Sequence, residues 1–142
     1  MKLDSAPSVQ VLTGAQGIKA VYESILTGKA GDFMCTSKAF DQILGGFWKS
    51  YAPKLYKNLK TREILVDNQE NRDYAKKKNA SKNQVRFCDP KLATETDFIV
   101  AQHMVALVSY SETSPMAVVI SEPELVTALK NQFDQLWVLV SR

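Results

Sequence analysis

Phe98-Ile99-Val100-Ala101, then Gln102-His103, then Met104-Val105-Ala106-Leu107-Val108-Ser109-Tyr110 is the stretch whose reading decides the fold. Two short apolar runs that pivot on a polar dipeptide have the pattern of paired strands. A third run, Met116 to Ile120, follows, and the chain then enters an amphipathic helix closing on Phe133-Asp134-Gln135-Leu136-Trp137. Strand, turn, strand, turn, strand, helix describes a scaffold rather than a reaction centre. Hardly a polar residue within it has the company a catalyst needs, so this stretch reads as recognition rather than chemistry.

The closing helix carries Leu125, Leu129, Phe133, Leu136 and Trp137 at helical spacing, and Ser121 followed three residues later by Glu124, with Pro123 in the first turn, is a start signal. Burial of each such side chain is worth about 1.5–3 kcal/mol before entropy is subtracted. Truncation at Asp134 is therefore expected to unfold the domain.

Upstream, Val9-Gln10-Val11-Leu12-Thr13 alternates as a strand does and is broken by Gly14. Ile18, Val21, Tyr22, Ile25 and Leu26 then share one helical face, with Gly28 and Gly31 as the exit. Asp32 to Cys35 reads as a second strand, and Thr36-Ser37 offers hydroxyls to cap the next helix. In that helix Phe40, Ile43, Leu44, Phe47, Trp48 and Tyr51 form an apolar stripe, read as core. Gly45-Gly46 weakens it, and Pro53 either kinks it or begins a second segment.

Arg62 to Val66 is a third strand closed by Asp67-Asn68, Gln69 to Lys78 a polar helix, Asn79 to Asn83 a loop, and Val85 to Cys88 a fourth strand. Helices separate the strands of the first half, whereas the strands of the second half follow one another. The fold class is α/β, a mixed, partly parallel sheet with helices on both faces. Residues 1–8 read as a polar leader and 9–142 as a single α/β domain.

A chain of 142 residues buries roughly 70% of the surface its unfolded form exposes, so neither disulfide nor metal is needed to hold it. Cys35 and Cys88 sit in apolar runs and read as reduced, structural thiols. The start lacks a signal peptide's apolar core and no run approaches a membrane span, which gives an expected cytoplasmic location without membrane contact. The net charge of +3 is modest. Basic residues nevertheless crowd the stretch 49–86, where Lys49, Lys54, Lys76, Lys77 and Lys82 alternate with Glu63, Asp67, Glu70 and Asp73. The interleaving favours a solvated face, and contact with nucleic acid through this stretch is the alternative.

Catalytic constellations are missing. The one histidine, His103, falls in a predicted turn, without the orienting partner that a general base requires. Two strand cysteines and a lone histidine lack the paired spacing of a zinc site. Thr13-Gly14-Ala15-Gln16-Gly17 precedes a helix, whose amides are able to hold an anion, but it has no P-loop ending, and no Gly-x-Ser-x-Gly elbow occurs. No catalytic residue, metal or cofactor is expected.

Two segments carry a family resemblance: Val11-Leu12-Thr13-Gly14-Ala15-Gln16-Gly17-Ile18-Lys19-Ala20-Val21-Tyr22, and Val118-Val119-Ile120-Ser121-Glu122-Pro123 through Phe133-Asp134-Gln135-Leu136-Trp137. With the elements between them, the chain from Val9 to Trp137 resembles the C-terminal effector-sensing domain of TrmB-like transcriptional regulators, which has a phospholipase D-like fold. The resemblance implies that 9–142 is a sensor domain. It also implies a homodimer, and DNA contact only through a winged-helix domain not present in this chain. Enzymes of the phospholipase D-like fold carry a His-x-Lys motif ahead of the strand-turn-strand. Here the strand Phe98 to Ala101 has no histidine, and Val105 stands two positions after His103 where lysine would be required. A degenerate phosphodiesterase remains the second alternative.

The function expected is thus a non-enzymatic effector-sensing or interaction domain that binds a small polar metabolite or a protein partner. In a partly parallel sheet, ligands gather beyond the carboxyl ends of the strands, which nominates Thr13, Gly14, Ser37, Asp67 and Asn68 as ligand-binding residues.

Overall fold

In the computed structural model, which describes residues 7–140, seven strands form one sheet. They are β1 (Val9–Thr13), β2 (Ala30–Cys35), β3 (Lys60–Val66), β4 (Asn83–Cys88), β5 (Thr96–Ala101), β6 (Val105–Ser109) and β7 (Met116–Ile120), in the spatial order β1-β7-β6-β5-β2-β3-β4. The helices are α1 (Gly14–Ile25), α2 (Phe40–Leu44), α3 (Phe47–Asn58), α4 (Gln69–Lys76) and α5 (Pro123–Leu139), with a short 3-10 turn at Pro90–Leu92. Residues 1–6 of the expected leader lie outside the described residues. Ser8, its last member, accepts the Ser121 N–H through its carbonyl at 2.9 Å.

The sheet is mixed for a reason visible in its connections. α3 and α4 cross over between neighbouring strands, which makes β2, β3 and β4 parallel, whereas short turns join β5, β6 and β7 into an antiparallel meander. Because β5 pairs antiparallel with β2, and β1 antiparallel with β7, the carboxyl ends of β1, β6, β2, β3 and β4 gather at one end of the sheet. The amino ends of β5 and β7 join them there. This end is where the functional side chains collect.

One sheet face packs against α1, α2 and α3 through Ile18, Val21, Tyr22, Ile25, Leu44 and Leu55. The other face packs against α5 alone, where Val126, Phe133 and Trp137 meet Ile64, Val100 and Val105. Leu125, expected in this core, is exposed, and Val126 fills the place one residue later. α5 also starts differently from its sequence signal: Glu122 is the N-cap, accepting the Glu124 and Leu125 amides. Ser121 is drawn instead to Ser8 at the sheet edge.

Arg62 fastens α5 to the sheet. Its guanidinium makes two 2.8 Å bonds to Asp32 and one of 2.7 Å to Asp134, and lies over the rings of Phe133 and Trp137 at 5.1 and 5.5 Å. The ion pairs hold the Arg62 pKa above its ordinary value. Arg86 covers Trp137 from the next strand, 4.5 Å from the ring centre.

Strand alternation buries Leu12 of β1 but leaves Val9 and Val11 exposed on its other face. The helical break falls at Gly45, whose φ of +61° suits glycine, while Pro53 lies inside α3 without ending it. α4 stops at Lys76, two residues before its expected end, and β4 and β5 begin two residues before theirs, at Asn83 and Thr96. Gly17 sets the approach of α1 to β1, since a Cβ there would stand 2.9 Å from the Leu12 carbonyl carbon.

Gly17→Ala is expected to destabilise by about 1–3 kcal/mol through overpacking, outweighing the roughly 1 kcal/mol that alanine gains in a helix. Phe133→Ala should cost about 3–5 kcal/mol. Urea unfolding followed by circular dichroism reads both.

Candidate functional site

A cleft of about 560 Å³ opens beyond the carboxyl ends of β2 and β3. Two carboxylates stand at its base, Glu63 on β3 and Asp97 at the start of β5, flanking β2 on either side. Each is almost wholly buried, Glu63 at 4% and Asp97 at 1% exposure. Register explains their shared face: Glu63 pairs with Phe33 and Asp97 with Cys35, and both partners point to the side covered by α1 to α4.

Tyrosine hydroxyls satisfy both groups. Tyr22 of α1 and Tyr110, just after β6, each donate to Asp97 Oδ2. Tyr56 of α3 donates to Glu63 Oε1 at 2.8 Å, and Tyr74 of α4 reaches both Glu63 oxygens at 3.0 and 3.1 Å. The Tyr56 and Tyr74 hydroxyls also touch one another. Burial pushes all four phenols above their ordinary pKa, which keeps them protonated as donors.

Burial likewise raises both carboxyls, against the pull of the hydroxyls. Their surroundings differ in one respect. Glu63 has a cation nearby, Lys78, whose ammonium lies 3.2 Å from the Tyr56 ring centre and 4.2 Å from that of Tyr74 and draws the carboxyl back down. Among the described residues, the groups acting on Asp97 are Tyr110, Tyr22 and the Cys35 thiol, none of them a cation. The Cys35 thiol is itself pushed well up by burial, so it is a neutral thiol and not a thiolate.

Above the carboxylates runs an arc of rings. Tyr110, Phe40, Trp48, Tyr56 and Tyr74 follow one another at centroid separations of 5.8, 5.5, 6.1 and 6.5 Å, joining one carboxylate's hydroxyls to the other's. Phe40 and Trp48, expected in the core, line the cleft and are only half-buried. Opposite them, Glu95 Oε2 accepts the Ser37 hydroxyl at 2.7 Å and the backbone amides of Lys38 and Ala39 at 3.0 and 3.2 Å. These bonds hold the Glu95 carboxyl below its usual pKa and fill the loop's anion-binding amides with the chain's own carboxylate.

Of the residues nominated from the sequence, Ser37 and Asn68 line this cleft. Ser37 accepts the Ala39 amide without capping α2, whose N-cap Ala39 has no side-chain bond, while Asn68 caps α4 by accepting the Asn71 amide at 2.8 Å. Asp67 is exposed, bound to Arg72 at 2.8 and 3.0 Å. Thr13 and Gly14 lie at the far edge of the sheet, where the Gly14 amide donates to the Pro115 carbonyl at 2.8 Å. His103 is exposed between β5 and β6, at the end of the sheet opposite the cleft. The carboxylates Glu63 and Asp97 are among the site residues that sequence reasoning missed. Their only signal was a carboxylate set within or beside an apolar strand.

Several basic residues of the stretch 49–86 are occupied within the fold, while Lys49, Lys54, Lys57, Lys60, Lys76 and Lys77 are exposed. Arg62 and Arg86 lie under α5, Arg72 covers the Phe87 ring at 4.0 Å, Lys78 covers the cleft tyrosines, and Lys82 donates to the Lys57 carbonyl. No helix among the described residues is long and apolar enough to cross a membrane.

No family model and no curated protein sequence matches the chain. Solved structures do match in fold. TrmBL2, an archaeal chromatin protein whose structure shows a novel mode of DNA binding, superposes with a TM-score of 0.65 at 14% identity over 99% of this chain and 55% of its own. The chain thus spans little more than half of TrmBL2. Nuc, a phospholipase D family member from Salmonella typhimurium, gives a TM-score of 0.63 at 16% identity, covering 94% of this chain and 96% of that one. Phosphatidylserine synthase from Haemophilus influenzae gives 0.64 at 13% identity over 97% of this chain and 40% of its own. The fold is phospholipase D-like, as the resemblance implied.

A carboxyl whose folded pKa is raised stabilises the fold below its unfolded value and loses that contribution as pH rises through the folded value. For Glu63 and Asp97 the unfolded value is about 4. Stability should therefore fall as pH rises from about 4 toward neutrality. The lowered carboxyls of Asp67 and Glu95 act in the opposite sense and only at more acid pH. Asp97→Asn and Glu63→Gln are each expected to flatten the slope of melting temperature against pH in that window, read by differential scanning calorimetry.

Proposed function

We propose that the chain is a non-enzymatic effector-sensing domain of the TrmB-like kind, which binds a small polar ligand in the cleft between β2, β3, α2 and α4. The observation that carries this reading is the base of the cleft, where two buried carboxylates each accept from two tyrosine hydroxyls. Such a base supplies hydrogen bonds and shape. Burial keeps its phenols protonated, so the base offers neutral donors rather than an activated nucleophile of the kind covalent chemistry uses.

Charge supports the same reading against a degenerate phosphodiesterase. Phosphoryl transfer needs cationic or donor groups aimed at the phosphate oxygens. Here buried carboxylates face the cleft, the amides of the β2–α2 loop already hold Glu95, and the single histidine lies at the opposite end of the sheet. A nucleic-acid interface through 49–86 gains no support from Arg86, Lys78 and Arg72, which lie against the rings of Trp137, Tyr56 and Phe87. Ser37 and Asn68 are the nominated ligand contacts kept in this reading. A homodimer that passes ligand occupancy to a DNA-binding partner domain belongs to it as well.

Thermal-shift measurements with sugars, polyols, amino acids and amines are expected to find a ligand class that raises the melting temperature. A ligand in hundredfold excess over its Kd adds about 2.7 kcal/mol of stability. Hydrolysis of bis(p-nitrophenyl) phosphate should be absent. Turnover that is abolished by His103→Ala would overturn the reading.

A further inference from the structure

Glu63 and Asp97 are two solutions to one problem, and only one of them includes a positive charge. At Glu63 the chain brings its own ammonium, Lys78 Nζ, against the faces of Tyr56 and Tyr74, the two rings whose hydroxyls hold the carboxylate. An ammonium beside aromatic faces and close to a carboxylate is the arrangement by which proteins hold organic cations. At Asp97 the carboxylate and its two tyrosine donors recur, with no cation among the described residues acting on the carboxylate. In front of it are the cleft and the rings of Phe40 and Trp48.

We propose that this half of the cleft binds a small organic ammonium ion, its nitrogen placed between Asp97 and the faces of Phe40 and Trp48. The inference rests on the ligand-sensing reading and names the ligand's chemistry.

Three independent features converge on a cation. The cleft has room for a ligand of several heavy atoms, at about 560 Å³. Its ionisable lining is unbalanced even with Glu63 offset by Lys78: Asp41, Glu70 and Asp97 line it, against Lys38 alone. Lys38 donates its backbone amide to Glu95, and its charge acts on that same carboxylate. The walls supply aromatic rings, with Phe40 perpendicular to Trp48 at 5.5 Å and to Tyr22 at 5.7 Å. A neutral polyol would leave the desolvated Asp97 charge uncompensated. An anion would meet it directly, at a cost that burial magnifies. An ammonium ion lowers the electrostatic cost of keeping Asp97 ionised, which burial otherwise opposes.

The test uses isothermal titration with choline, its neutral carbon isostere 3,3-dimethylbutan-1-ol, butylamine and sorbitol. Choline or butylamine should bind at least tenfold more tightly than the isostere. Asp97→Asn, which keeps an acceptor for the tyrosines, should weaken ammonium binding at least tenfold, and Trp48→Leu about fivefold. Circular dichroism of both variants checks that the fold persists. Should Asp97→Asn prove unfolded, Trp48→Leu and the isostere comparison still decide. Equal binding of choline and isostere, or ammonium binding unchanged in Asp97→Asn, would overturn the cation assignment. Binding of sorbitol without binding of either amine would sink it while leaving the sensing domain intact. If none of the four binds, the cation assignment fails, and the broader sensing proposal is then decided by its own screen.

Discussion

Two carboxylates buried on one face of a sheet are the constraint on which this structure depends. An ionised carboxylate taken out of water is costly unless its lone pairs are met, and four tyrosine hydroxyls meet them here. The donors come from α1, from the end of β6, from α3 and from α4, so three of the helices on that face are tied to the sheet by a tyrosine hydroxyl. The opposite face uses another device. A guanidinium from β3, shared between Asp32 and Asp134 and laid over two α5 rings, holds a single helix.

Much of the architecture was legible in the sequence, because the sheet's second half is written in apolar runs broken by short polar turns. Met116 to Ile120 is a strand with the expected bounds, and the break in the helical stripe falls at Gly45, where a left-handed backbone favours glycine. Strand ends were less legible. Asp97 directly precedes the apolar run at Phe98, and a carboxylate at that point reads as the turn before a strand rather than as its buried second residue. Ser121 shows the same limit in a helix signal. Its hydroxyl served the sheet edge, and the cap passed to Glu122, whose longer side chain reaches two amides.

The site was half legible. Ser37 and Asn68 were found because hydroxyl and amide residues that end strands gather at the carboxyl edge of a parallel sheet. Glu63 was hidden by its neighbours, since a glutamate following Arg62 in a basic stretch reads as solvated charge. Tyr22, Tyr56 and Tyr74 were hidden by their own duality. A tyrosine on a helical face contributes apolar area to any pattern count, and only the sheet beneath it reveals where the hydroxyl goes. Phe40 and Trp48 were assigned to the core by spacing, and they do pack against it, but half-buried, with the cleft on their other side.

The pairing of β1 with β7 has a consequence for how the chain is made. Ser8 and Ser121, which meet at the end of that pairing, are separated by 113 positions in sequence. Contacts between such distant segments form slowly, because closing the loop sacrifices chain freedom before any contact rewards it. During synthesis β1 has no sheet neighbour until β7 has emerged, whereas the β5-β6-β7 meander needs only adjacent segments. Of the seven strands, β1 is thus made first and seated last, and until then the β7 margin of the meander stays open.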